Sequence, residues 1–539
     1  MHVQSLLLGL LCFIAVFAGA ARRMGIPYPI MLLIAGLLLS LVPGIPHIGL
    51  SPDVVFLVFL PPLLYSAAWT LSWQEFVKNL ISIGWLAFGL VVFTVGTVAY
   101  TAGHFLPGFD WKAGFLLGAV VAATDPIAAT ATARRLGLPQ NITHLLEAES
   151  LVNDGTGLLA LQFGLAILAQ GRAPGIVEGT GRLLYLVGAG VGVGVVIGSI
   201  VAWFEKWVDD GPVEIIISLL LPYFTYLAGN SMHASGVLAV IACGMVMSRQ
   251  SATFLTGSVR LQLDAVWEAL TFVLNGVVFV LIGLQLPYVL AAIHGTQPWK
   301  LVAYGAGFSG FLITLRLLWV FVIRYGRYWS SVRLSVDGEA RARVHKPNAK
   351  EVFLVGWTGL RGVLSLTAAV ALPEALPNGQ LFPQRSMIVY LAFSVILTTL
   401  VLQGLTLPAL IRLLRFADSG DQSREEEETR RSILVKALEA LERSRVKGGP
   451  EAVEVFQDLE ALYESRLASL PKRKPGRKNK TAEALYQQRK AAALQAIGVE
   501  REALAGLHSD GFANDETVKL LRRELDLAES RVHTSGSLL

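Results

Sequence analysis

Cysteine is nearly absent: Cys12 and Cys243 are the only two in 539 residues. They lie far apart in apolar runs, which excludes a disulfide framework and a cysteine-built zinc site. Charge is scarce as well, with 16% of residues charged against 53% hydrophobic. That balance excludes an ordinary soluble domain and fits a membrane protein. The charge is segregated, most of it lying after Arg412, and the formal net charge of +5 fits a positive-inside membrane protein better than nucleic-acid binding. No Lys or Arg precedes the first apolar run, whereas Arg22 and Arg23 follow it. Despite the small residues Ala18, Gly19 and Ala20, that order argues against a cleaved signal peptide. It favours a retained first helix with its N-terminus outside. The charged C-terminal tail carries no phosphate-binding loop and no kinase motif.

Apolar length fills the remainder. About thirteen spans are long enough to cross a bilayer, beginning between Leu6 and Met387. The expected fold is an all-α polytopic membrane protein followed by a helical tail. With the N-terminus outside, inside loops hold Arg22, Arg23, Lys78, Arg134, Arg135, Lys206, Arg249 and Arg260, and a long basic loop from Arg324 to Lys350. Outside loops hold only Lys112, Arg172, Arg182, Lys300 and Arg385. The bias agrees with an odd number of spans and puts the tail in the cytoplasm of a plasma (inner) membrane protein. The domains expected are a membrane domain over 1–415 and a cytoplasmic tail over 416–539. In the tail, Arg424 to Arg443, Ala482 to Leu507 and Asp515 to Val532 read as helices. Pro471 to Lys480 reads as a basic linker.

Where charge does enter an apolar span, it is concentrated between Thr124 and Gly157. A carboxylate at bilayer depth costs on the order of 3 kcal/mol even on lenient insertion scales, so it is expected to face a cavity, a partner or an ion. Asp125 is followed by Pro126, which has no N–H and leaves the carbonyl of Ala122 without its helical partner. On the next helix, expected over Asn141 to Gln170, Ser150 and Asp154 share a face at i, i+4, as do Glu149 and Asn153. Carboxylates, a hydroxyl, an amide oxygen and freed carbonyls are hard oxygen ligands for a small cation. Asp154 is the expected seat of cation and proton in alternation, because the two compete for one carboxylate. Asp125, the Ser150 hydroxyl and the Thr124 backbone would complete the shell.

A second span is interrupted at Gly356, Gly359 and Gly362, with Arg361 among the glycines. Interrupted segments in two halves of a chain are the sequence signature of an inverted-repeat transporter with its site at the midplane. Arg361 is then expected where two broken helices cross, offsetting exposed carbonyl ends. A salt bridge to Asp125 or Glu149 is the alternative.

The motifs T-D-P at Thr124 and E-S-L-V-N-D-G at Glu149 resemble the monovalent cation:proton antiporter family, which includes the sodium/proton exchangers. G-L-R-G at Gly359, L-P-P-L-L-Y at Leu60 and R-L-L-W-V at Arg316 carry the same resemblance, over roughly residues 5 to 415. The resemblance implies antiport of Na+, or of K+ or Li+, against H+ by alternating access, serving pH and sodium homeostasis. It implies no cofactor and no enzymatic activity, and a homodimer is expected. It places Asp154, Asp125, Ser150 and Thr124 at the monovalent cation. Asn153 stands where electrogenic relatives carry a second Asp, which implies electroneutral exchange. Arg316 matches an arginine that pairs with the residue at Glu149, a structural rather than ion-binding role. Glu147 is left a place in the vestibule. The chain departs from many relatives at Ser66, where they carry an acid, and that puts the choice of cation in doubt. An intramembrane aspartyl protease would want Y-D and G-x-G-D contexts, which neither Asp125 nor Asp154 has. A membrane sensor with a signalling tail would not need Asn153, Asp154 or the second broken span.

Overall fold

A helix apolar on every side is stable only when lipid or protein surrounds it, and most of this chain is built from such helices. The computed structural model describes residues 3–42, 55–125, 130, 138, 140–170, 175–208, 210–291, 293, 297–334, 347–375, 381–414, 421–447, 480–509 and 515–535, with short pieces between 457 and 467. Pro126, Arg134 and Arg135 lie outside the described residues. Among those described there is no strand, only an isolated bridge between Ala375 and Leu381. The chain divides into two compact units, Met1–Asp418 and Ser419–Leu539.

In the first unit the helices run α1 (Val3–Met24), α2 (Tyr28–Leu39), α3 (Leu60–Thr70), α4 (Trp73–Gly84), α5 (Leu90–Phe105), α6 (Trp111–Ala122), α7 (Gln140–Gln170) and α8 (Ile176–Glu205). They continue with α9 (Gly211–Ser231), α10 (Gly236–Phe254), α11 (Gly257–Ala291), α12 (Pro298–Leu334), α13 (Ala349–Trp357), α14 (Val363–Val370), α15 (Arg385–Thr398) and α16 (Gly404–Leu414). Wide π turns at Val55–Phe59, Trp85–Gly89 and Thr399–Gln403 precede α3, α5 and α16. Among the described residues seven helical stretches are long and apolar enough to cross a membrane, and four apolar helices are shorter. This is fewer than the about thirteen spans read by length. Part of the difference is that α6 stops after 12 residues, and that the span at Val352 divides into α13 and α14.

Lipid supplies no hydrophobic force between helices, so close approach through small residues holds them. Gly36 on α2 and Gly283 on α11 lie where an added methyl would strike the other helix's backbone. Gly190, Gly194 and Gly198, one per turn of α8, meet α10 in the same way. Gly164 and Gly157 bring α7 against Leu116 of α6 and against Ala123. The outer face of α8 exposes Leu184, Ile200 and Trp203, with Trp207 just beyond its end. Apolar residues ending in tryptophans suit the passage from acyl chains to headgroups.

The second unit holds α17 (Asp421–Lys447), α18 (Lys480–Ser509) and α19 (Asp515–Ser535). α18 and α19 pack through Ala493, Ile497 and Val532, and Arg501 Nη2 lies 2.5 Å from both Asp526 and Glu529.

Candidate ion-binding site

Asp110 starts α6 by accepting a hydrogen bond from Ala113 N at 2.8 Å, an N-cap that satisfies one of the helix's free donors. The helix ends at Ala122, and Ala123 turns to extended backbone (φ −62°, ψ 140°). Asp125 N donates to Leu360 O at 2.8 Å, so the segment after α6 pairs with the break between α13 and α14. That break runs from Thr358 to Gly362. Two half-helices thus end against each other inside the protein.

The carbonyls freed at the end of α6 find a donor in Arg361. Its Nη1 lies 2.5 Å from Ala122 O and 2.9 Å from Ala123 O, and the residue is buried. A guanidinium here meets the negative end of the α6 dipole. Arg361 N in turn donates to Thr399 Oγ1 at 3.1 Å, in the π turn before α16. Ser365, in the first turn of α14, reaches Ala123 O at 3.5 Å.

α7 supplies the carboxylate wall. Ser150 Oγ donates to the Thr124 carbonyl, and Asn153 Nδ2 donates to Thr124 Oγ1 at 3.1 Å. Thr124 is therefore held through both its carbonyl and its hydroxyl. Asn153 is fully buried, and its Oδ1 has no hydrogen-bond partner among the described residues. Asp154 sits one turn beyond Ser150, within the electrostatic field of Asp125 and Arg361. Asp125, Asp154, Thr124 and Ser150 all line one cavity of about 880 Å³. It extends to Arg22 and Arg412, near the ends of α1 and α16, and takes in Glu147 and Glu268 on the way. Near its mouth His144 Nδ1 lies 3.7 Å from Glu147 Oε2.

Glu149 points elsewhere. Its Oε1 is 2.7 Å from Arg316 Nη1, and Arg316 Nη2 donates to Val355 O at 3.3 Å. The pair is 1% and 3% exposed and ties α7 to α12 and α13. Gly359 faces the Arg316 side chain and Gly362 faces the Asp125 carboxylate, each so closely that a Cβ would overlap its neighbour. The glycines of the second broken span are required here by close approach.

Ser66, marked by its place after the L-P-P-L-L-Y run, belongs to the cavity wall, and so do two residues that no motif marks. Ser66 is buried on α3 and borders the cavity with Asp154. Tyr28 on α2 and Asn275 on α11 border it too. Asn275 is, with Gln285, one of two buried amides in the apolar run of α11, so the polar-group-in-a-span criterion that singles out Asp125 would also have found it.

The arrangement brings hard oxygen donors and two carboxylates to the wall of one cavity, with the buried Arg361 guanidinium compensating the broken helix ends. A family model for the sodium/hydrogen exchanger, transmembrane, matches residues 10–413. A sodium, potassium, lithium and rubidium/H+ antiporter of Bacillus pumilus is 31% identical over 77% of this chain and 62% of its own length, so the chain spans less than two thirds of that relative. A Na+/H+ antiporter of Aphanothece halophytica is 31% identical over 77% of this chain and 75% of its own. The solved structure of the sodium proton antiporter of Methanocaldococcus jannaschii covers 76% of this chain and 98% of its own, with a TM-score of 0.56 at 19% identity. That last likeness is one of fold.

Proposed function

This chain belongs to the sodium/hydrogen exchanger family, and from that premise we propose that it is a monovalent cation/proton antiporter, electroneutral, with Asp154 as the group that carries cation and proton in turn. The family is one of transporters, not enzymes, and nothing favours the protease or the sensor. The observation that carries the reading is the convergence of Asp154, Asp125, Ser150 and Thr124 on one cavity beside the crossing of two broken helices. Oxygen donors of this kind suit a small cation stripped of water, and a carboxylate among them binds either the cation or a proton.

The stoichiometry follows from the neighbours. Asn153 cannot titrate, and its amide is held by Thr124. Glu149 is committed to Arg316. With Asp125 in one protonation state throughout, each cycle moves one proton against one cation and no net charge crosses. The membrane potential, worth about 2.3 kcal/mol per charge per 100 mV, then does not drive transport. Proteoliposomes with a clamped potential test this. The reversal condition is expected to be independent of voltage, and the half-saturating Na+, K+ or Li+ concentration to rise as pH falls. A voltage-dependent reversal would show a second charge moving.

The Lys/Arg bias places the N-terminus outside and residues 416–539 in the cytoplasm as a helical tail, behind a membrane domain over 1–415. The cavity reaches Arg22 and Arg412, on the side the bias assigns to the cytoplasm, so this conformation faces inward. A homodimer in the plasma membrane remains part of the proposal, by likeness to the family. Labelling a cysteine placed at Ser509 tests the orientation: modification only after permeabilisation is expected.

Gly362 offers a local test. A methyl there overlaps the Asp125 carboxylate, so Gly362→Ala is expected to cut the exchange rate at least about tenfold by displacing Asp125, since misplacing a binding group by about 1 Å is costly. Wild-type kinetics in Gly362→Ala would detach Asp125 from the site.

A further inference from the structure

α7 and α11 present matching polar ladders to the cavity. On α7 they are Glu147, Ser150 and Asp154; on α11, Glu268, Thr271 and Asn275. Both follow the spacing i, i+3, i+7, which keeps one helical face and climbs about 10 Å. Each ladder starts with a carboxylate and ends in a deeper polar group. Asp154 ends the first and is accounted for. Asn275 ends the second and is not.

Asn275 is 4% exposed, and its Oδ1 is buried with no hydrogen-bond partner among the described residues. An acceptor left so is destabilising, and native chains leave few of them without a reason. Its two neighbours along α11, Leu274 and Gly276, are apolar, so the amide stands out in the run. The Tyr28 side chain is the hydrogen-bonding neighbour of the Asn275 amide and lies in the field of Asp125, and Tyr28, Asn275 and Asp125 all border one cavity. Ser66, from α3, borders the same cavity. Apart from Glu268, the polar groups that α11 and Ser66 bring to the cavity are neutral, and at Ser66 the chain lacks the acid many relatives have there.

We propose that Asn275 Oδ1 is a cation ligand supplied by α11, completing the shell of Asp154, Asp125, Ser150 and Thr124 from the opposite wall and setting which monovalent cation is preferred. This rests on the antiporter reading. A neutral amide oxygen attracts a cation but takes no proton at any working pH. Asn275 thus adds cation affinity without adding a proton or a charge to the cycle. Its signature differs from that of Asp154: it moves the half-saturating cation concentration and the ranking of cations, and leaves the stoichiometry as it was.

The test uses the full chain in proteoliposomes, with initial exchange rates against Na+, K+ and Li+ at fixed pH. Asn275→Ala is expected to raise the half-saturating concentration of the preferred cation by about tenfold, the scale of one lost ligand, more than it lowers the maximal rate, and to change the ranking of the three ions. Asn275→Asp is expected to restore or tighten cation binding at high pH. Asn275→Thr and Asn275→Val form a second comparison, two side chains of one shape of which only threonine keeps an oxygen; threonine is expected to bind the cation more tightly. Equal half-saturation for threonine and valine, or wild-type half-saturation for all three ions in Asn275→Ala, overturns the assignment. Absence of exchange in the wild-type protein would instead overturn the antiporter reading, which keeps the two failures apart.

Discussion

Asp154→Asn is expected to bring exchange of every monovalent cation down to the level of protein-free vesicles, in a protein that folds as well as its parent. The substitution keeps the shape of the side chain and removes its ability to alternate between a charged and a neutral state. No neighbour takes over. Asn153 cannot titrate and is bonded to Thr124, Glu149 is held by Arg316, and in the proposed cycle Asp125 keeps one protonation state throughout. Folding is expected to be spared because asparagine keeps the size of the side chain and its capacity to hydrogen-bond, while removing a carboxylate that is costly at bilayer depth. Thermal stability of the purified protein is therefore expected to equal or exceed that of the wild type. Two measurements on one preparation decide the matter, the melting temperature and the initial rate of cation-driven pH change. Proton-coupled exchange surviving in a well-folded Asp154→Asn protein would transfer the transport role to Asp125.

The helical, membrane-spanning character of the chain was legible because hydrophobic length is a one-dimensional signal. The polar residues on α7 were legible for a similar reason, since Glu149, Ser150, Asn153 and Asp154 lie within two turns of one helix and their shared faces follow from helical spacing. What a lone sequence does not carry is the pairing of distant breaks. The backbone bond from Asp125 to Leu360 and the bonds from Arg361 to Ala122 and Ala123 join segments more than 230 residues apart. Each is dictated by unsatisfied carbonyls that must find donors, yet many donors could have answered. Gly359 and Gly362 were read as helix interrupters, and the contacts that require them are with Arg316 and Asp125, visible only once the helices are packed. Asn275 and Tyr28 were overlooked because a single amide or phenol in an apolar run costs less than a carboxylate and draws less notice.

The pair Glu149–Arg316 should prove structural, and the expected result is a large loss of folded protein when either partner is removed alone. Both side chains are nearly inaccessible, and the pair leaves Glu149 Oε2 and Arg316 Nε without hydrogen-bond partners among the described residues. A buried ion pair with unsatisfied atoms gains little over apolar side chains of similar size. Removing one partner is a different matter, because it strands a charge away from water at a cost of about 3–5 kcal/mol. Arg316 also donates to Val355 O, so losing it frees a carbonyl near the end of α13 and loosens the half-helix that leads to Arg361. Glu149→Gln and Arg316→Ala are each expected to lower folded yield and melting temperature more than they change the half-saturating cation concentration of the protein that does fold. The double variant Glu149→Gln, Arg316→Met, which leaves neither charge behind, is expected to be more stable than Arg316→Ala alone. Melting temperatures of the detergent-purified proteins, set beside their transport kinetics, provide the check. If Glu149→Gln kept wild-type stability and lost cation binding, the carboxylate would belong to the ion shell and Arg316 would be acting on the ion through it.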